Sequence, residues 1–147
     1  MKEVSHHIRL AYLTALSGLE VDRTPIPVFD EEVPVGANIA SFGYGKAYVL
    51  ITDQNEVRSN FNKCGIIQDA SVTLMVITTY PKGTGGKLLS ERISNEIQHI
   101  VNKDIVMNPE FKILSVYKEL SRGLVEYGDT ESAFNKVIIY TNTINEK

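Results

Sequence analysis

The chain has 147 residues, of which 43% are hydrophobic and 22% are charged, a composition typical of one globular domain. Lysine and arginine total 15 against 18 acidic residues, and the formal charge of −3 argues against a broad basic surface for nucleic acid phosphates. Cys64, the single cysteine, cannot form an internal disulfide, and no apolar run approaches the ~20 residues of a membrane span or looks like a signal peptide. We therefore expect a single domain, residues 1–147, in a soluble protein made inside the cell.

The N-terminal third is predicted to hold a helix, a turn-rich segment and a strand. Apolar residues recur at helical spacing from Val4 to Leu19. The segment from Val21 to Gly45 contains several prolines and small residues, which favour a short edge strand and a loop. The apolar run Ala47–Thr52 has the length of a strand.

The polar connection from Asp53 to Gln68 is long for a domain of this size. Such a connection is either functional or the two arms of a hairpin, and we predict a hairpin with a projecting tip. Near that tip Phe61 lies between Arg58 and Lys63, and an aromatic anchor between charges is common in protein contacts. We therefore predict that Arg58, Phe61 and Lys63 form a subunit interface.

The stretch from Asp69 to Val101 is the predicted centre of the fold. Ser71–Tyr80 is rich in valine, isoleucine and threonine, which favours a buried strand. Pro81 and the glycines that follow it should end that strand in a turn. An amphipathic helix comes next, with one apolar stripe that should dock on the sheet. The stripe consists of Leu89, Ile93, Ile97, Ile100 and Val101.

The C-terminal part is predicted to be a hairpin. After a linker, Lys103–Glu110, apolar residues alternate with polar ones from Phe111 to Glu126, and Gly123 is expected to mark a bulge. Gly128 and Asp129 form a turn, and a long strand returns from Ala133 to Ile144. The predicted fold class is therefore α+β, with an antiparallel sheet of long hairpins packed against a central helix and an N-terminal helix.

One glycine-rich stretch resembles a phosphate-binding loop, because it joins a strand to a helix and contains Gly86-Lys87. Pro81 stands where the first glycine should be, and Leu88 stands where a hydroxyl should bind magnesium. We therefore expect a capping turn and no nucleotide.

Metal and nucleophile motifs are also incomplete. Glu96 and His99 have the Glu-x-x-His spacing of di-iron sites, but such sites need a second such pair together with two further glutamates. His6 and His7 are neighbours on a helix, about 100° apart, and are poorly placed to bind one metal. Cys64 lacks a recognisable histidine partner, and Asp53 and Glu56 are interpreted as solvated loop carboxylates. We predict no catalytic residue, no metal and no cofactor.

The order of elements resembles the tail terminator and head-to-tail connector proteins of tailed bacteriophages. The resemblance is carried by Ala47-Tyr-Val-Leu-Ile-Thr52 after a proline-containing segment, by Val72-Thr-Leu-Met-Val-Ile77 leading through a glycine turn into Ser90-Glu-Arg-Ile-Ser-Asn-Glu-Ile97, and by Asn135-Lys-Val-Ile-Ile-Tyr-Thr141. It covers nearly the whole chain. The long Asp53–Gln68 connection and the extended Phe111–Tyr127 segment depart from the family pattern.

The resemblance implies a structural virion protein, synthesised in the host cytoplasm, that forms a homo-oligomeric ring at the neck. Its partners would be the portal or connector and the tail proteins, with DNA passing through the lumen without sequence-specific binding. One alternative is a small enzyme or ligand-binding domain with a site between the central helix and the sheet, organised around Lys87, Asp53 or His99. A second alternative is a host regulatory module that dimerises through an exposed sheet edge.

Overall fold

The fold is α+β, as the sequence predicts. The computed structural model describes residues 3–62, 65–103 and 105–146, and for residues 57–62 and 65 it describes the backbone alone. The helices are α1 (Ser5–Leu16) and α2 (Leu88–Lys103). The strands are β1 (Glu20–Val21), β2 (Thr24–Pro25), β3 (Val28–Asp30), β4 (Ala40–Phe42), β5 (Gly45–Asn62), β6 (Gly65–Pro81), β7 (Phe111–Tyr127) and β8 (Glu131–Glu146).

Four long strands form the body of the main sheet, in the order β5, β6, β8, β7, and every neighbouring pair in that series is antiparallel. The short strand β3 lies outside β5 and runs parallel to it, while β4 pairs antiparallel with the beginning of β5. Strands β1 and β2 form a separate two-stranded sheet. The parallel β3 departs from the predicted antiparallel sheet. A pairing of only three residues does not change the architecture.

The predicted Asp53–Gln68 hairpin is confirmed as the outer half of the β5–β6 ladder. Pairing resumes at Gln54 with Val72 after a bulge and continues to Asn62 with Gly65. We call residues 54–62 of β5 and 65–72 of β6 the arm. The predicted interface residues Arg58 and Phe61 lie in the arm with their side chains undescribed, and Lys63 lies outside the described residues.

Both helices pack on one face of the sheet. Ile8, Tyr12 and Leu16 of α1 are fully buried or nearly so. The predicted stripe of α2 is confirmed, because Leu89, Ile93, Ile97 and Val101 are buried and Ile100 packs partly against the core. Opposite them, alternate residues of β6 are completely buried, namely Ala70, Val72, Leu74, Val76 and Thr78. This apolar layer provides most of the stabilisation of the fold.

The bulge predicted at Gly123 is wrong. Gly123 pairs in register with Lys136, and a side chain there would meet only a carbonyl oxygen at 3.9 Å. The register of β7 shifts instead between Ile113 and Ser115 and between Lys118 and Leu120, which leaves Leu114 and Glu119 as the extra residues. Bulges do not require glycine, and so sequence alone could not place them.

A small polar network crosses the core between the helices and the sheet. The Tyr12 hydroxyl donates to Asn142 Oδ1 at 2.8 Å, and Asn142 Nδ2 donates to the Ala70 carbonyl at 3.0 Å. The Tyr140 hydroxyl donates to Gln98 Oε1 at 2.9 Å. Burial raises the pKa of Tyr12 and raises the pKa of Tyr140 to about 12. The network therefore requires neutral phenols.

We expect stability to fall steeply between pH 10 and pH 12. The folded pKa of Tyr140 lies above its ordinary value of 10.0, so the unfolded hydroxyl releases its proton first as the pH rises. The contribution of the neutral Tyr140 hydroxyl to the free energy of unfolding is therefore complete below pH 10 and is lost as the pH approaches 12. The urea midpoint should fall less over this range in Tyr140→Phe than in the unsubstituted chain. If the urea midpoints of the two proteins fell equally with pH, Tyr140 would not be the group responsible.

Candidate assembly surface

The turn between β6 and α2 is shaped by aromatic packing. A Cβ at Gly85 would lie 2.5 Å from the Tyr80 ring and 2.7 Å from the Phe134 ring, so only glycine fits there. The Thr84 hydroxyl donates to the Pro81 carbonyl at 2.7 Å, and the Lys87 carbonyl accepts from Ser90 Oγ at 2.8 Å. These contacts explain Gly85 without a phosphate, and the predicted capping of α2 by this turn stays a prediction.

The residues of the alternative ligand site are not brought together. Asp53 borders a cleft of about 440 Å³ with Ser71, Thr73 and Ile139 on the face of the sheet that carries no helix. Lys87 is exposed ahead of α2, and His99 is exposed on α2, which packs on the opposite face. The contact between α2 and the sheet is filled by fully buried side chains, including those of Ile93 and Ile97. No site organised around these three residues forms there.

Metal-ligand clustering is equally absent from the described ranges 3–62, 65–103 and 105–146, where no group of three or more histidine, cysteine, aspartate or glutamate side chains could hold an ion. The rings of His6 and His7 lie edge to face with centroids 5.5 Å apart, and His7 contacts Phe111 at 5.2 Å. Cys64 lies outside the described residues. Within the described part, no helix is long and apolar enough to cross a membrane.

Arg9 anchors the base of the arm to α1, a role that the sequence analysis missed. Its guanidinium donates to the Ile51 carbonyl at 2.6 Å and to the Thr52 carbonyl at 2.8 Å, beside the first bulge of β5. It also pairs with Asp30 and, at 3.3 Å, with Glu31. The bond to Thr52 satisfies a carbonyl inside the bulge, and the Ile51 carbonyl also accepts from the Glu31 N–H at 2.9 Å. In the sequence, the only indication of this role was a cationic residue on the side of α1 that faces the sheet.

The body of α2 is tied to its surroundings by ion pairs as well as by apolar packing. Lys136 of β8 pairs with Glu91 at 2.6 Å, and Arg92 pairs with Asp22 in the turn between β1 and β2. The hydrogen bond from Arg92 lowers the pKa of the Asp22 carboxyl. These exposed or half-exposed pairs contribute little stability individually. They link the outer side of α2 to β8 and to the turn between β1 and β2, and the sequence did not indicate these contacts.

The face without helices carries a half-buried apolar patch at the base of the sheet. Register places its members side by side, because Tyr48 pairs with Ile77, Leu50 pairs with Met75 and Met75 pairs with Val137. The patch consists of Tyr48, Leu50, Met75, Ile77, Val137 and Ile139, all of intermediate exposure. Towards the arm the same face becomes polar, with Ser71, Thr73 and Thr143.

The two outer edges of the sheet are also open. Beyond Ile51, no strand of the described residues pairs with the outer side of β5. Strand β7 pairs only with β8 over the same described ranges, so its outer edge is open from Lys112 to Tyr127, while the Phe111 N–H donates to the Asn108 carbonyl at 2.9 Å. Unpaired edges present backbone donors and acceptors that can extend the sheet with another strand. These edges and the apolar patch are the main candidate contact surfaces.

Comparison with known proteins supports the fold at high coverage. No protein-family model matches the sequence, and no curated protein matches it. A chain of the solved structure described as "Virion of native gene transfer agent (GTA) particle" superposes with a TM-score of 0.63 and 12% sequence identity. The superposition covers 97% of this chain and 99% of that chain. At this identity the similarity shows a shared fold.

Proposed function

We propose that this protein is a structural component of a phage-like virion that assembles as a closed ring at the neck and joins the head to the tail. The observation that carries the proposal is the superposition on a chain of a virion particle over nearly the full length of both chains. A match of this extent includes the helices, the sheet and the long hairpins together.

The surface properties of the subunit fit such a role. Long strands with open edges and an uncovered apolar patch suit assembly by complementary surfaces. The net charge of −3 would let DNA pass through a lumen without tight binding. Among the described residues no cluster of histidine, cysteine, aspartate or glutamate side chains could hold a metal ion. This fits a structural protein whose partners are further copies of itself and the adjacent portal or connector and tail proteins.

The arm gives the first test of the ring. We expect that Arg58→Glu combined with Phe61→Ala and Lys63→Glu leaves the chain folded but lowers its assembly, because these substitutions remove the proposed anchor and reverse both cations. Sedimentation of the purified protein and its incorporation into particles would be measured. Lys82→Glu combined with Lys87→Glu, exposed near the other end of the sheet, is the control with the same charge change.

Unchanged sedimentation and normal incorporation of the arm variant would show that the three residues are not part of the joint. An equal loss of assembly in the control variant would indicate a general effect of the added negative charge. A loss confined to the arm variant supports the interface.

A further inference from the structure

The two open edges of the sheet face opposite ways and run in opposite directions. Because β5, β6, β8 and β7 alternate in direction, β5 and β7, the first and last of these four long strands, are antiparallel to each other. If a second copy is placed beside the first in the same orientation, its β5 runs antiparallel to the β7 of the first. The alternation then continues from one copy into the next, with hydrogen bonding of the ordinary antiparallel type.

The register shows which parts of the two edges would meet. Successive pairings through β6 and β8 place Gln54 at the level of Lys118. The same pairings place Arg58 at the level of Ile113. The free outer edge of the arm is therefore level with the first half of β7, residues 111–118. Farther along, the outer side of β5 is covered by β3 and β4, so the arm is the accessible part of this edge.

A bulge in β7 allows the two edges to meet over only half of that strand. Strand β7 has its second bulge at Glu119, beside the level at which β3 ends and the arm becomes free. A bulge bends its strand and increases the local twist. The half of β7 beyond Glu119 can therefore diverge from a neighbouring β3 while the first half follows the neighbouring arm.

The composition of the β7 edge favours pairing with a specific partner. Leu114 and Tyr117 are 48% and 54% exposed, and exposed apolar residues on a long edge strand promote strand addition. The free arm edge of another copy lies at the level of this half and runs antiparallel to it, so it offers an unpaired strand of matching length.

We propose that neighbouring copies are joined edge to edge, with the first half of β7 of one copy pairing antiparallel with the free arm edge of β5 of the next. This joint rests on the ring assembly proposed above and identifies its mechanism. Each copy uses two different surfaces, so the contact is head to tail, which closes a ring when the rotation per copy allows it. It differs from a two-fold dimer, in which one edge would pair with itself.

Proline at bulge residues gives a selective way to block each edge. Leu114 in β7 and Ser59 in β5 are extra residues without a partner in the ladder register, and proline is tolerated at edges and bulges better than within a ladder. We expect Leu114→Pro alone and Ser59→Pro alone to be folded monomers. An equimolar mixture should form a dimer that cannot grow, because one intact β7 edge and one intact arm edge remain available to each other. Thermal melting of both proline variants would show that the fold is retained.

Native mass measurement decides between the outcomes. Three results would each overturn the edge joint. They are rings in either proline variant, a dimer of one variant with itself, and a mixture that stays monomeric where the unsubstituted chain forms rings. Monomeric unsubstituted protein, both in solution and on particles, would instead contradict the ring. Failure of the joint is therefore distinguishable from failure of the proposed function.

Discussion

Replacing Ile97 with alanine is expected to lower the free energy of unfolding by about 2–5 kcal/mol, the usual range for truncating a buried branched side chain. Ile97 has no exposed surface and belongs to the apolar cluster that α2 shares with the sheet. The same loss is expected for Ile93→Ala. Because α2 packs against both β6 and β8, the cavity cannot be closed by movement of one flexible segment.

Urea denaturation provides the measurement, with an unchanged dependence on urea concentration as the sign of an intact unfolding transition. His99→Ala on the exposed side of α2 is the matched control, and its effect should stay within about 0.5 kcal/mol. Near-neutral values for both isoleucine variants would place the α2 stripe outside the core and contradict this packing.

Asn142→Ala is expected to destabilise the protein by about 2–6 kcal/mol, because two buried polar groups lose a partner and each such loss costs about 1–3 kcal/mol. Asn142 is completely buried and links the hydroxyl of Tyr12 on α1 to the carbonyl of Ala70 on β6. The substitution removes both bonds at once. A hydrophobic residue of similar size, as in Asn142→Leu, should also destabilise, because it leaves the same two groups unpaired.

A double-mutant cycle with Tyr12→Phe tests this assignment. The double variant Tyr12→Phe with Asn142→Ala should lose less than the sum of the single losses, since the two residues share one hydrogen bond. If the two losses of unfolding free energy were additive, the hydrogen bond between Tyr12 and Asn142 would contribute nothing to stability. Asn95→Ala, exposed on α2, is the polar control.

The elements of the fold could be predicted because local patterns determine them. The helical spacing of Ile93 and Ile97 located α2, and the polar length of Asp53–Gln68 indicated a hairpin in a chain with little room for a free loop. The positions of the bulges could not be predicted. They depend on how two strands match over their full length, and Leu114 and Glu119 carry no local signal for an extra residue.

The contact surfaces were predicted only in part. The arm was identified from its length, but the open edge of β7 depends on the sheet order, in which β7 lies outermost although β8 follows it in sequence. Gly85 resembled part of a phosphate loop because the sequence does not show that Tyr80 and Phe134 meet beside it. Arg9 was missed because two of its acceptors are backbone carbonyls, which any residue provides, and its carboxylate partners Asp30 and Glu31 lie far from it in sequence.

Native mass measurement of the purified full chain tests the central claim most directly. We expect a single closed oligomer whose mass is a whole multiple of the subunit mass, seen as a ring by electron microscopy and found at the neck in purified particles. The contradicting result is a chain that remains monomeric in solution at every concentration and is absent from the particles.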